Sequence, residues 1–201
     1  REIEELKAQV EYKEAIREIN KLIDSIKNGT NRTTEIVKGL RTFSRLDEDI
    51  LKMADIHEGL DSTLILLHNK YKNRIEIEKN YGDLPLIECY PGQLNQVFMN
   101  LLSNAVDAID GKGTITINTS ISGKLIEICI KDTGNGIPEN IRKKIFDPFY
   151  TTKGVGKGTG LGLSISQSII EKHNGSINVN SETGRGTEFI ISIPVEQSRE
   201  H

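Results

Sequence analysis

Glycine placement restricts this chain more than any other feature. Of 201 residues 18 are Gly and only 5 are Pro, and glycines crowd into two short sets. Asp132-Thr133-Gly134-Asn135-Gly136 closes an alternating apolar run, and Gly158-Thr159-Gly160-Leu161-Gly162-Leu163 opens a helical one. Backbone that lacks a Cβ can approach a ligand or another strand closely. A glycine run entering a helix N-terminus also presents N–H groups at the positive end of the helix dipole, where a polyphosphate can sit. An ordinary turn would account for either set alone.

Around these sets the chain shows two textures, which predict a helical arm over residues 1–50 and a second domain over 51–201. Up to about Asp47 there is almost no Gly or Pro. Ile3, Leu6 and Val10, then Ile16, Ile19, Ile23 and Ile26, recur at helical spacing with Glu and Lys between them. Gly29 interrupts the pattern, which resumes with Thr33, Ile36, Val37, Leu40 and Phe43. One narrow apolar stripe cannot be buried alone, so the arm is expected to dimerise; the alternative is that it packs on its own C-terminal domain.

From about Asp55 helix and strand signals alternate. Asp55 can cap a helix through Leu60, Leu64 and Leu67, and Arg74 to Lys79 alternates as a strand. Pro91 opens an apolar helix to Ile109. Thr114–Ser120 and Leu125–Lys131 form a hairpin about Ser122-Gly123. Pro138 starts a short basic helix, and an irregular stretch over 146–160 leads into a helix from about Leu161 to His173, with Asn174-Gly175 as its C-cap. Strands Ser176–Ser181 and Thr187–Pro194 close the chain. The class is α+β: a two-layer α/β sandwich, a mixed sheet with helices on one face, preceded by a long dimerising arm.

Composition excludes several functions. With 36% hydrophobic and 27% charged residues the chain is a globular one. Its longest apolar run, Leu64 to Leu67, is far short of the roughly 18 residues of a membrane helix. A start at Arg1 without Met or an apolar leader suggests a fragment of something longer. A net charge of −3 gives no reason to expect nucleic acid as a partner. Cys89 and Cys129 read as buried thiols rather than a disulfide or metal pair, and Met53 and Met99 as core fillers. The P-loop, the dinucleotide-binding glycine fingerprint, the nucleophile elbow and any Cys/His cluster are missing.

The helix from Pro91 carries a third signal. Gln93, Gln96, Asn100, Asn104 and Asp107 step by three and four residues and so share one face. Asn costs roughly half a kcal/mol in mid-helix relative to Ala, and a solvated face is more cheaply built from Glu, Lys or Arg. Amide oxygens in a row suit a hard cation such as Mg²⁺; a merely solvated polar face is the alternative.

Together these segments resemble one family. Asn100-Leu-Leu-Ser-Asn104-Ala is similar to the asparagine box of sensor histidine kinases, and Asp132-Thr-Gly134-Asn-Gly136-Ile-Pro to their first glycine box. Phe146-Asp-Pro-Phe149-Tyr150-Thr-Thr-Lys153 resembles their phenylalanine box, and Gly158 to Leu163 their second glycine box. Gly186-Thr187-Glu-Phe189 resembles the closing strand, and Glu35 to Arg45 the second helix of the dimerisation and phosphotransfer domain.

The resemblance implies the ATP-binding fold shared with gyrase, heat-shock protein 90 and mismatch-repair ATPases, the GHKL type. It implies that Asp132 accepts from the adenine amine with Thr187 assisting through water, that Gly134 and Gly136 approach the base, and that Asn104 holds Mg²⁺. Lys153 and the amides from Gly158 through Thr159 and Gly160 to Gly162 would meet the phosphates. Asp107, Ile137, Tyr150, Leu161 and Leu163 belong to the implied nucleotide set, and residues 138–158 form a lid that orders around nucleotide.

Asn100 and Lys153 are the implied catalytic pair. Hydrolysing relatives carry Glu at the place of Asn100, and an amide cannot act as a general base near neutral pH. Transfer of the γ-phosphoryl of ATP to a histidine, for relay to a response-regulator receiver domain, is therefore the implied reaction. A nucleotide-binding module without transfer and a hydrolysing ATPase of the same superfamily are the alternatives. The implied setting is a cytoplasmic homodimer, including the cytoplasmic part of a membrane-anchored receptor. No acceptor is recognisable among His57, His68, His173 and His201: His57-Glu58 has the family's dipeptide but follows the Phe43-Ser44-Arg45 segment, where a linker belongs.

Overall fold

The computed structural model describes residues 13–23, 26, 27, 30, 50–152 and 160–197. The chain divides into two compact units, Arg1–Lys38 and Gly39–His201. In the first, residues 13–23 form a helix, α1. Its Ile16, Ile19, Leu22 and Ile23 are exposed, as is Ile26. Ile3, Leu6, Val10, Gly29 and the segment Thr33 to Arg45 lie outside the described residues.

The second unit runs β1 (Lys52–Ala54), α2 (Ile56–Tyr71), β2 (Ile75–Tyr81), β3 (Ile87–Cys89), α3 (Pro91–Ala108), β4 (Gly113–Ser122), β5 (Leu125–Asp132), α4 (Glu139–Arg142), α5 (Gly162–Lys172), β6 (Ser176–Glu182) and β7 (Gly186–Pro194). Five strands form one sheet in the order β2-β4-β5-β7-β6. Only β2 and β4 are parallel, and the chain between them includes α3; the other neighbours are antiparallel. The mixed sheet expected from hairpins beside helical crossovers is what forms.

Period-2 alternation decides which face is buried. Ile115 and Ile117 of β4, Ile126, Ile128 and Ile130 of β5, and Phe189, Ile191 and Ile193 of β7 all point to the core. The register aligns them, Ile117 beside Ile130 and Ile130 beside Phe189. Leu60, Leu64 and Leu67 of α2, Phe98, Leu101 and Leu102 of α3, and Ile169 and Ile170 of α5 cover that face. Thr116, Lys131, Glu188 and Asn180 occupy the opposite, polar face, in one cross-strand row.

Local chemistry sets the helix ends. Asp55 accepts from the His57 N–H at 2.8 Å and caps α2 as expected. Asn174, at φ +52°, ends α5: its N–H donates to Glu171 O and that of Gly175 to Ile170 O, the paired bonds of a Schellman motif. The Arg74 guanidinium reaches two helix C-termini at once, donating to Lys70 O of α2 and to Val106 O and Ile109 O at the end of α3.

Two expectations change, and one small sheet is added that the sequence did not signal. β1 and β3 pair as a separate two-stranded sheet; at three residues each they are too short to show alternation. Met53, on β1, is 55% exposed rather than a core filler, whereas Met99 does pack on the core. Cys89 is buried, but Cys129 lies on the polar face of β5, half-buried and donating to Glu188.

Candidate functional site

The inward row of β5 reads Ile126, Ile128, Ile130 and then Asp132, so an acid takes the next core position. Asp132 is 3% exposed. Its Oδ1 accepts from the N–H of Gly134 at 2.8 Å and of Thr187 at 3.2 Å, and no described group donates to Oδ2. Burial pushes this carboxyl above its ordinary range, and the two backbone N–H groups pull it partly back. A buried carboxylate with one oxygen saturated and the other unclaimed is a ready acceptor for a ligand N–H.

The neighbouring inward rows end the same way. On β7 Thr187 follows Phe189 and Ile191 in reverse, and on β6 Ser181 follows Ile177 and Val179. The Ser181 hydroxyl accepts from the Ile137 N–H at 2.7 Å, donates to Gly186 O and meets Thr187 Oγ1 at 2.9 Å. It thereby ties the loop after β5 to the turn between β6 and β7. Sequence reasoning passed over Ser181; its signal was a hydroxyl at the third inward position of an otherwise apolar row.

The loop after β5 lies on the end of α3. Asn135 N donates to Ala108 O, and its amide donates to Asp110. A Cβ on Gly134 would sit 2.5 Å from Ala108 O, and Gly136, at φ +68°, has no room beside Glu182 O. Close approach dictates glycine at the first position, and approach together with a left-handed backbone at the second. Ile137 and the Tyr150 ring pack half-buried against the core.

On α3 the expected polar face is present: Gln93, Gln96, Asn100 and Asn104 are half-buried and Asp107 is exposed. Asn100 donates to Gly162 O at 3.0 Å and to Ser166 Oγ at 3.2 Å. The amide therefore ties mid-α3 to the first turn of α5, which holds Gly162 and Leu163 and follows directly on Gly160 and Leu161. Lys153, Gly158 and Thr159 lie outside the described residues. The first part of the expected lid is anchored: Arg142 donates to Ser181 O and Glu139, and Ile145 is buried in the core. Phe149 is 75% exposed at φ +67°.

A divalent cation fits this donor set only as a shared ligand. Among the described residues no three His, Cys, Asp or Glu side chains assemble into a metal cage. Asn104 offers a half-buried amide on the wall, suited to a hard cation whose remaining oxygens come from phosphates and water. Two of the histidines are engaged within the second unit. His57 Nε2 meets Thr119 Oγ1 at 2.9 Å and its ring stacks on Tyr81. His173 is fully buried, His68 is exposed on α2, and His201 lies outside the described residues.

A family model described as histidine kinase-, DNA gyrase B-, and HSP90-like ATPase matches residues 89–197. The chain belongs to that family. Sensor kinase CckA of Brucella abortus is 38% identical over 198 residues, 88% of this chain and 21% of the relative. Sensor histidine kinase ZraS of Escherichia coli K12 is 33% identical over 90% of this chain and 39% of its own. The chain thus spans between a fifth and two-fifths of the length of these curated relatives. Among solved structures, the nucleotide-free catalytic domain of histidine kinase ThkA superposes with a TM-score of 0.67 at 31% identity, covering 73% of this chain and 97% of that one. Full-length ShkA in complex with AMPPNP gives 0.66 at 28%, over 85% of this chain and 37% of that one. This member of the ATPase family therefore corresponds to the ATP-binding catalytic domain of sensor histidine kinases. No described helix is long and apolar enough to cross a membrane.

Proposed function

We propose that this chain binds Mg·ATP between α3, the loop after β5 and the start of α5, and donates the γ-phosphoryl to a histidine of a dimeric phosphotransfer domain. The observation that carries this is Asp132, whose Oδ2 is unclaimed at the end of a buried apolar row. It accepts from the adenine amine, while Thr187 and Ser181 hold the strands on either side. Gly134, Gly136 and Ile137 form the wall against the base, with Asp107 and Tyr150 at its edge. Lys153 and the backbone from Gly158 through Thr159, Gly160, Leu161 and Gly162 to Leu163 meet the phosphates.

When bound, Mg²⁺ neutralises phosphate charge, with Asn104 as its protein ligand. Asn100 holds α5 to α3 and supplies no base, which favours transfer over hydrolysis. The acceptor ring brings its own nitrogen lone pair. A P–N bond forms as the bond from the γ-phosphorus to the β,γ-bridging oxygen breaks, and ADP leaves with that electron pair. Positioning supplies the rate.

The division into an arm over 1–50 and a catalytic domain over 51–201 belongs to this proposal, as do a homodimer through the arm and a cytoplasmic setting. So does relay to a receiver-domain aspartate, which finds support in ThkA, solved in complex with response regulator TrrA and 29% identical over 87% of this chain. The engagement of His57 and His173 favours a second reading for the isolated chain, ATP binding without self-phosphorylation. Labelled ATP and a separately supplied dimeric phosphotransfer domain decide among these. An acid-labile, base-stable label on the partner supports transfer, binding without label supports the module, and steady phosphate release indifferent to the partner would mean a hydrolase.

A further inference from the structure

Ser181, Thr187 and Asp132 stand side by side in one inward row. Ser181 pairs with Thr187 across β6 and β7, and the β5–β7 register, continued one step beyond Lys131 beside Glu188, sets Asp132 beside Thr187. A serine hydroxyl carries one proton and two lone pairs. Three groups meet that of Ser181: the Ile137 N–H at 2.7 Å, Gly186 O at 2.9 Å and Thr187 Oγ1 at 2.9 Å. A backbone N–H only donates and a carbonyl only accepts, so two of the three directions are fixed. Ser181 accepts from Ile137 and gives its single proton to Gly186 O. The third contact then runs from Thr187, whose hydroxyl donates to the remaining lone pair of Ser181.

The surroundings keep this arrangement in place. Gly186, at φ +95°, leaves no room for a Cβ beside Asp132 O, so glycine holds the carbonyl where Ser181 meets it. Ile137 belongs to the loop after β5, which the Asn135 N–H fixes on Ala108 O. Asp132 accepts through Oδ1 from two backbone N–H groups, and no described group donates to its Oδ2, so it does not draw the Thr187 proton away. Thr187 Oγ1 therefore has no proton left to give. Toward anything else it only accepts.

Resting on the reading of Asp132 as the adenine contact, we infer that Ser181 is a positioning residue that sets which nucleobase the site takes. By drawing the Thr187 proton toward β6, it leaves two neighbouring acceptors, Thr187 Oγ1 and Asp132 Oδ2, at the end of the row. A purine with an amine at C6 offers donors to both. One with a carbonyl at C6 sets acceptor against acceptor. A water bridging the two commits its protons to them and passes the same demand to the base. Discrimination is strong where the wrong ligand leaves buried polar groups unpaired. Without the Ser181 hydroxyl the Thr187 proton is free to turn, and it then serves a carbonyl as readily as the oxygen serves an amine.

Calorimetry of the full chain with ATP and with inosine triphosphate tests this, since the two differ only at C6 and in the proton on N1. The wild-type chain should favour ATP by about tenfold or more. Ser181→Ala should narrow that ratio by about fivefold, and Ser181→Thr, which keeps the hydroxyl, should hold it at the wild-type value. Thr187→Val should narrow it too, and Ser181→Ala added to that variant should change it no further, because Ser181 acts through Thr187. Should Ser181→Ala not fold, Ser181→Cys keeps the shape with a weak donor and acceptor, and the same narrowing is expected. A merely structural Ser181 would weaken both nucleotides alike. An unchanged ratio in the folded variants, with ATP still favoured by the wild type, therefore overturns the role of Ser181 and leaves the nucleotide site standing. A wild-type chain that binds neither nucleotide, or both equally, would overturn the Asp132 reading and this inference with it.

Discussion

Asp132 takes a position that sheet alternation reserves for a hydrophobe, a cost that the proposed adenine contact would explain. Its raised pKa has a definite sign: the native state holds its proton more tightly than the unfolded chain. Any stabilisation from Asp132 is therefore complete below the ordinary Asp value of 3.8 and is lost as pH rises through the higher native value. At neutral pH the buried charge is a burden. Asp132→Asn keeps an Oδ1 for Gly134 and Thr187 but turns the other atom into a donor facing the adenine amine. ATP affinity, measured by calorimetry, should fall by roughly 10–100-fold, the loss of a charge-assisted hydrogen bond, while the melting temperature at pH 7 should not fall. Matching losses of binding and stability would mark the carboxylate as structural. The glycine sets singled out Asp132, Gly134 and Gly136 in the sequence, and the family resemblance alone implied their roles. Ser181 was not singled out, because a hydroxyl at a strand end is common and only strand register shows that it joins Ile137 to Thr187.

Between elements, a few polar contacts hold α3 in the position the site requires. Arg74 ties the ends of α2 and α3, where unpaired carbonyls and the negative ends of the dipoles meet. Arg74→Met keeps much of the aliphatic stem and removes all three hydrogen bonds. A loss of about 2 kcal/mol and a fall in melting temperature of roughly 4–8 °C are expected by thermal denaturation, and a change below a degree would show those carbonyls content with water. At the other end, His173 Nδ1 meets Ile169 O at 2.7 Å and Nε2 accepts from the Tyr90 N–H at 3.0 Å, joining the end of α5 to the start of α3. Burial lowers its pKa from the usual 6.5. Protonation would cost the Tyr90 bond, so its stabilisation is complete above about pH 6.5 and is lost as pH falls below that value. His173→Gln should flatten the decline in denaturation midpoint between pH 7 and pH 5; an unchanged slope would assign that decline to other groups. Helices and long strands were readable because their periodicity spans several turns or pleats. β1 and β3 were not, since three residues carry no period and tertiary pairing alone makes them strands.

At the scale of the whole molecule, the exposed apolar stripe of the first unit sets the expected assembly. Ile16, Ile19, Leu22, Ile23 and Ile26 are between 41% and 68% exposed in one chain, and apolar surface of this kind is worth about 25 cal/mol per Å² when removed from water. Spacing of three and four residues places these side chains along one flank, so a second copy can bury them by a two-fold operation that repeats the same contacts on both chains. Sequence alone showed the stripe; it could not show what covers it, because periodicity specifies a face and not its partner. The chain should sediment as a dimer at micromolar concentration, and Ile19→Glu with Ile23→Glu should shift it to a monomer, since two carboxylates at the seam face two more across it. ATP affinity should stay within about twofold, because the proposed nucleotide site draws only on residues of the second unit. A wild-type chain that sediments as a monomer would instead place the stripe against its own molecule. The paired substitution would then lower the melting temperature and leave the sedimentation coefficient unchanged, so these two measurements together separate the assemblies.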